Sequence, residues 1–150
     1  MTVTVEDASI GHLDRLYEIE MECFEKEAFT KKQIAQLLMD YNSVGLVAKE
    51  DDKILGFIIA MIYVDRNASS GHILTIDVSP AHRRKGIGQM LLQEIEKILF
   101  AKSVRACHLE VREDNVAAIS LYRKLGYQKI AKLKNYYGNA HGICLKKVLA

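Results

Sequence analysis

The chain has 150 residues, of which 49% are hydrophobic and 27% charged, and its 21 Lys plus Arg against 19 Asp plus Glu leave a formal charge of +2. This is the composition of a foldable globular chain long enough to bury one core, so a single domain over residues 1–150 is expected. The longest near-continuous apolar run, Ile54 to Val64, has 11 residues, too few for a spanning helix of roughly 20. No basic segment followed by an apolar stretch opens the chain, so a cytoplasmic protein without membrane contact is expected.

Cys23, Cys107 and Cys144 are odd in number and form no C-x-x-C pair, which argues against a disulfide framework or zinc knuckle. All three read as small buried apolar side chains. The charge is uneven. Residues 1–75 hold 7 basic and 13 acidic side chains, whereas residues 76–150 hold 14 and 6.

Val3 and Val5 alternate with polar residues and predict a first strand. Ser9 can cap a helix whose apolar face is Leu13, Leu16, Tyr17, Ile19 and Phe24, and Thr30 can cap a second carrying Ile34, Leu37 and Leu38. Val44 to Ala48 and Ile54 to Val64 read as strands around a polar Glu50–Lys53 turn. Asp65 to Gly71 reads as a loop and His72 to Val78 as the next strand, with the only proline, Pro80, just past it.

Gly86 and Gly88 precede a helix marked by Leu91, Leu92, Ile95, Ile98 and Leu99. Ala106 to Val111 predicts a strand. Asp114-Asn115 can cap a helix bearing Ile119, Tyr122 and Leu125, which Gly126 would end in left-handed conformation. Tyr127 to Leu133 and Gly142 to Val148 read as a closing pair of strands. This order argues for an α/β sandwich on a mixed sheet.

The most informative stretch is Ile76-Asp-Val-Ser-Pro-Ala-His-Arg-Arg-Lys-Gly-Ile-Gly-Gln89. A strand end, the cations Arg83, Arg84 and Lys85, two glycines and a helix start follow one another directly. Helix-start N–H groups and the helix dipole favour an anion, and glycine lets it approach, so a phosphate-bearing ligand fits. Neither the P-loop nor the dinucleotide fingerprint is satisfied. The pattern is Arg-x-x-Gly-x-Gly, at Arg83, Gly86 and Gly88.

That pattern resembles the acetyl-CoA pyrophosphate loop of the GCN5-related N-acetyltransferases (GNAT). A second block, His108-Leu-Glu-Val-Arg-Glu-Asp-Asn115 through Ser-Leu-Tyr122-Arg-Lys-Leu-Gly-Tyr127, is similar to the family's second cofactor segment. It is most similar in the RimI-like branch that acetylates ribosomal-protein alanine and other protein N-termini, as is Asn135-Tyr-Tyr137. The resemblance implies a mixed sheet of about seven strands flanked by about four helices, with strands splayed around the cofactor. It also implies transfer of acetyl from acetyl-CoA to the N-terminal α-amine of a protein or peptide, with no resident metal.

On the family pattern, Glu110 is the general base and Tyr122 the general acid. The backbone of Ile76, Asp77 and Val78 pairs with pantetheine, Arg83 to Gln89 (through Lys85, Gly86, Ile87 and Gly88) hold pyrophosphate, and Asn115 faces the pantetheine arm while capping its helix. His72, Tyr136 and Tyr137 are candidates for the acceptor side. Spacing alone allows plainer readings: Glu110 paired with Arg112, Tyr122 as a core tyrosine, Tyr136 and Tyr137 as packing. His108-Leu-Glu110 fits the H-x-E of zinc deaminases, but no P-C-x-x-C follows and a metal site is not expected.

Two stretches depart from the branch that acetylates protein N-termini: Gly138-Asn-Ala-His-Gly142 lacks its acidic segment, and Glu25-Lys-Glu-Ala-Phe-Thr30 lacks its proline. Acetylation of lysine or a small amine, or a non-catalytic acetyl-CoA-binding module, are the alternatives. Nucleic-acid binding is disfavoured because no aromatic stacking platform interleaves the basic residues. The acidic first half, with Glu20, Glu22, Glu25 and Glu27, is expected to draw in a cationic acceptor, and the oligomeric state is left open.

Overall fold

The computed structural model describes residues 2–150, except for the side chain of Glu25. The strands are β1 (Thr4–Asp7), β2 (Ser43–Glu50), β3 (Lys53–Asp65), β4 (Ala68–Val78), β5 (Ala106–Arg112), β6 (Gln128–Leu133) and β7 (Gly142–Val148). The helices are α1 (Leu13–Phe24), α2 (Lys31–Met39), α3 (Ile87–Ala101) and α4 (Val116–Lys124), with short 3-10 turns at Ile10–His12, Glu25–Glu27 and Pro80–His82. One open sheet runs in the order β1-β2-β3-β4-β5-β7-β6. Only the β4–β5 pair is parallel.

Local chemistry sets most boundaries where the spacing predicts them. Thr30 Oγ1 accepts from the Gln33 N–H at 3.1 Å while the Gln33 side chain accepts from the Thr30 N–H at 2.8 Å, a reciprocal cap that starts α2. Asn115 Oδ1 accepts from the Ala118 N–H at 3.2 Å and starts α4, which ends at Gly126 with φ +102°. Ser9 instead opens a 3-10 turn, so the first α-helix begins four residues later, at Leu13.

The expected loop over residues 65–71 is in fact a two-residue hairpin turn. Arg66 and Asn67 both adopt positive φ, +50° and +72°, the conformation whose twist matches paired strands. β3 and β4 therefore stay paired from Asp65↔Ala68 down to Gly56↔Val78. Polar residues in this hairpin mask a strand because both ends of it project into solvent.

The sheet separates two apolar layers. Leu91, Leu92, Ile95 and Leu99 of α3 pack with Tyr122 and with Leu55, Ile58, Ala60, Ile73 and Leu109 on one face. Leu16 and Ile19 of α1 and Ile34 of α2 pack with Ile54, Phe57 and Ile59 on the other. The strand period of two slips once in β3, where Ala48 faces Gly56 but Lys49 faces Ile54, so the bulge at Leu55 exchanges the faces on either side. Gly56 is required there: a Cβ would lie 2.5 Å from the Asp77 carbonyl oxygen.

A second slip pairs Ile59 with Thr75 and Ala60 with Ile73, leaving Leu74 unmatched in β4. Beyond it β4 parts from β5, which it meets only at Gly71↔Cys107 and His72↔His108. The strands are splayed as the resemblance implies, and the β5-facing backbone edge of residues 74–78 is left without a strand partner. No helix of the described residues is long and apolar enough to cross a membrane. Of the cysteines only Cys107 is fully buried, its sulfur 3.1 Å from the Tyr127 hydroxyl. Cys23 and Cys144 are partly exposed, so the buried-filler reading fails for both.

Candidate active site

The alternation of β5 sends Cys107, Leu109 and Val111 into the α3 layer and turns His108, Glu110 and Arg112 to the opposite face. His72 stands directly across from His108 on β4. Its Nε2 lies 2.7 Å from Glu110 Oε1, and the two imidazoles stack with centroids 4.3 Å apart. Glu110 is thus held by His72 rather than by Arg112, which instead pairs with Glu27 at 2.6 Å and Asp114 at 3.1 Å. Burial is the main cause that lowers the His108 pKa, with His72 adding to it, which keeps that ring neutral.

Tyr136 and Tyr137, on the β6–β7 connection, pack edge to face with each other at 4.9 Å, near enough to Glu110 for its charge to act on both. Burial raises both phenols, Tyr137 to about 12, and Glu110 contributes to each shift. Arg112 lies over the Tyr137 ring at 5.7 Å. Glu110, His72, Tyr136 and Tyr137 therefore converge, although they come from three separate parts of the chain.

A second carboxyl pair lies on the same face, beneath α1. Glu20 and Asp77 are both 1% exposed. Thr75 Oγ1 is bonded to Glu20 Oε1 at 2.9 Å and also to Asp77 Oδ1, while Glu20 Oε2 accepts from the Phe29 N–H at 3.0 Å. One hydroxyl hydrogen cannot serve two carboxylates, so one carboxyl must carry a proton. Burial, then Glu20, raise the Asp77 pKa well above the usual carboxylate range, which assigns the proton there. The expected contribution of Asp77 was its backbone alone; its side chain proves to be part of this sealed cluster.

Tyr122, on α4, is buried against Tyr127, with ring centroids 6.0 Å apart. Burial and the neighbouring Asp77 carboxyl raise its pKa, so it is held as the neutral phenol. Arg83 folds back on the end of β4, its guanidinium donating to the Val78 carbonyl at 3.2 Å and contacting Cys23 Sγ at 3.4 Å. Arg84, Lys85 and Gly86 are exposed. Asn115 is exposed too, and its capping bond is made.

Gly86 is the N-cap of α3 with φ +80°, no side chain caps this helix, and a Cβ on Gly86 would meet nothing within 4 Å. The first-turn N–H groups of Ile87, Gly88 and Gln89 thus have no side-chain cap, and Arg84 and Lys85 are exposed just before them. Ile87 itself is buried, which anchors the turn. Ile76, Asp77 and Val78 line the edge freed by the splay.

The model of the acetyltransferase (GNAT) family matches residues 13–127. The chain belongs to this family. It is 36% identical over 99 residues to the [ribosomal protein bS18]-alanine N-acetyltransferase of Salmonella typhimurium, covering 66% of this chain and 64% of that protein. Over 111 residues it is 32% identical to an N-alpha-acetyltransferase of Sulfurisphaera tokodaii, covering 68% and 66%. The match thus spans slightly less than two thirds of each of these relatives. The GNAT fold itself is shared with Arabidopsis thaliana NAA60 solved in complex with acetyl-CoA, at TM-score 0.89, 20% identity and 99% of both chains.

Within this GNAT chain the sequence reading missed three partners: His108 against His72, the Glu20–Thr75–Asp77 cluster, and the Arg112–Glu27 pair that ties the α1–α2 connection to β5. Strand alternation already placed His108 beside Glu110, but the cross-strand partner depends on register. The acidic attraction expected of the first half is largely absent. Glu20 is sealed, Glu22 pairs with Arg15 at 3.5 Å and Glu27 with Arg112, while the Glu25 side chain lies outside the described residues.

Proposed function

We propose that residues 1–150 act as one cytoplasmic N-acetyltransferase domain that moves acetyl from acetyl-CoA to the N-terminal α-amine of a protein or peptide. The observation that carries this reading is the 2.7 Å contact between His72 and Glu110 at the mouth of the β4–β5 splay. An α-amine titrates near ~8, so a carboxylate backed by an imidazole suffices to take its proton as nitrogen attacks.

In this reading Glu110 accepts the proton, directly or through a water, and His72 orients the carboxylate and relays the charge. The amine nitrogen bonds to the acetyl carbon, the C–S bond breaks, and the thiolate leaves. The Val78 N–H polarises the thioester carbonyl. Tyr122 donates to the departing sulfur. Because burial raises this phenol while a thiol titrates near ~8.5, contact donation rather than free ionisation is its contribution.

Ile76, Asp77 and Val78 offer backbone to pantetheine; Arg83, Arg84, Lys85, Gly86, Ile87, Gly88 and Gln89 hold the pyrophosphate; Asn115 faces the arm. Tyr136 and Tyr137 flank the acceptor above Glu110, with no resident metal needed. The relatives named for N-terminal acetylation support an α-amine over lysine. Incubation with acetyl-CoA and short peptides, with free or blocked N-termini and with or without lysine, tests this by mass spectrometry. Acetylation confined to free N-termini is expected; acetylation of blocked, lysine-bearing peptides would replace the acceptor, and none with any amine would remove the activity.

A further inference from the structure

We propose that His72, His108 and Glu110 form a binding site for a divalent transition-metal ion, Zn2+ foremost, and that its occupancy blocks acetyl transfer. The inhibition rests on the function proposed above; the binding rests on geometry alone. One ligand atom from each residue lies within 4.8 Å of the others. Glu110 Oε1 is 2.7 Å from His72 Nε2, and Glu110 Oε2 is 3.9 Å from His108 Nε2.

The backbone sets this proximity. His72↔His108 is the last rung before β4 and β5 part, and Glu110 is two residues farther along the same face of β5. The rings are therefore stacked, 15° from parallel. Tetrahedral zinc holds its ligand atoms roughly 3.3 Å apart at bond lengths of about 2.0–2.2 Å, so rotation of side chains closes the site without moving the strands.

Two imidazoles and a carboxylate form a donor set that suits zinc and leaves a position for water. The side chains are 21%, 32% and 17% exposed for His72, His108 and Glu110, open enough for a hydrated ion to enter. Lys146, opposite His108 on β7, is the opposing charge; its ammonium sits on an exposed, flexible stem. The H-x-E spacing alone pointed away from metal because no cysteine pair follows it. The missing ligand is supplied instead by His72 on a different strand.

A bound ion would occupy the carboxylate and imidazole that must take the amine proton, lowering turnover while leaving acetyl-CoA affinity unchanged. Chelator-treated protein titrated with ZnCl2 by calorimetry, and with Co2+ by visible absorption, should bind one ion per chain. His108→Gln should weaken binding at least tenfold. Cys144→Ser, whose thiol is outside the cluster, should bind as wild type. His72→Gln, read by metal binding alone, is the second ligand variant.

Binding undiminished in both histidine variants would overturn the site, and binding without loss of transfer would overturn the inhibition. The Co2+ spectrum needs no acetyl acceptor. Failure of every peptide to react in EDTA would therefore count against the proposed activity while leaving the metal site to stand or fall on its own titration.

Discussion

Two carboxyl-bearing clusters share one face of the sheet, Glu110 with His72 and Glu20 with Asp77, and their surroundings give them opposite chemistry. At the splay, Glu110 is partly solvated and bonded to an imidazole. Beneath α1, Glu20 and Asp77 are sealed from water and hold a proton between them because two buried charges so close would be too costly. The comparison teaches that access to water, more than residue type, separates a candidate base from a structural hydrogen bond.

The sharpest test is Glu110→Gln. On the proposed mechanism it should lower peptide acetylation by about 10²–10⁴-fold with acetyl-CoA affinity retained, as read by turnover beside calorimetry; a loss below tenfold would erase the functional side of the contrast. Tyr122→Phe should follow with a smaller loss, roughly ten- to a hundredfold in kcat, and little change in cofactor affinity. An unchanged kcat would leave Tyr122 as a core residue only.

Glu20→Ala should do the reverse, damaging stability rather than chemistry. It strands the Phe29 N–H and leaves the Thr75 hydroxyl with Asp77 as its one carboxyl partner, at about 1–3 kcal/mol, which for a chain of this size lowers Tm by about 2–4 °C per kcal/mol. A normal Tm with lost turnover would merge the two clusters into one catalytic unit.

The smallest expected effect is a slope. Asp77 has a folded pKa raised above its unfolded value, so between the two the folded state holds the extra proton, and stability falls as pH rises from about 4 through the folded pKa. Asp77→Asn removes that titration. Its Tm should therefore gain on wild type as pH rises from 4 to 8 in a thermal-melt series, and parallel curves would place the proton elsewhere.

The glycine start of α3 and the two helix caps were legible because their chemistry is local: Gly86, Thr30 and Asn115 act within four residues of their own positions. The hairpin at Arg66-Asn67 was misread because polar composition signals exposure, and this hairpin is exposed while still paired. The partner of Glu110 was not legible, since Arg112 is near in sequence and His72 is near only across the β4–β5 ladder. Tyr122 is a core tyrosine, the plainer reading that spacing allows, and its part in the chemistry is what Tyr122→Phe tests.

By itself the sequence determined most element types, the glycine-led helix start, the family and the short list of ionisable candidates, because periodicity, glycine placement and local motifs act over a few residues. Only the tertiary structure decided which carboxylates are wet and which are sealed, and which histidine meets which glutamate. Those outcomes depend on strand register, on the bulges at Leu55 and Leu74, and on α1 covering one end of β4. The uneven charge shows the same division: Arg83, Arg84 and Lys85 of the basic half stand together before a helix start by sequence alone, whereas Glu20 and Glu27 of the acidic half are buried or paired through contacts distant in the chain.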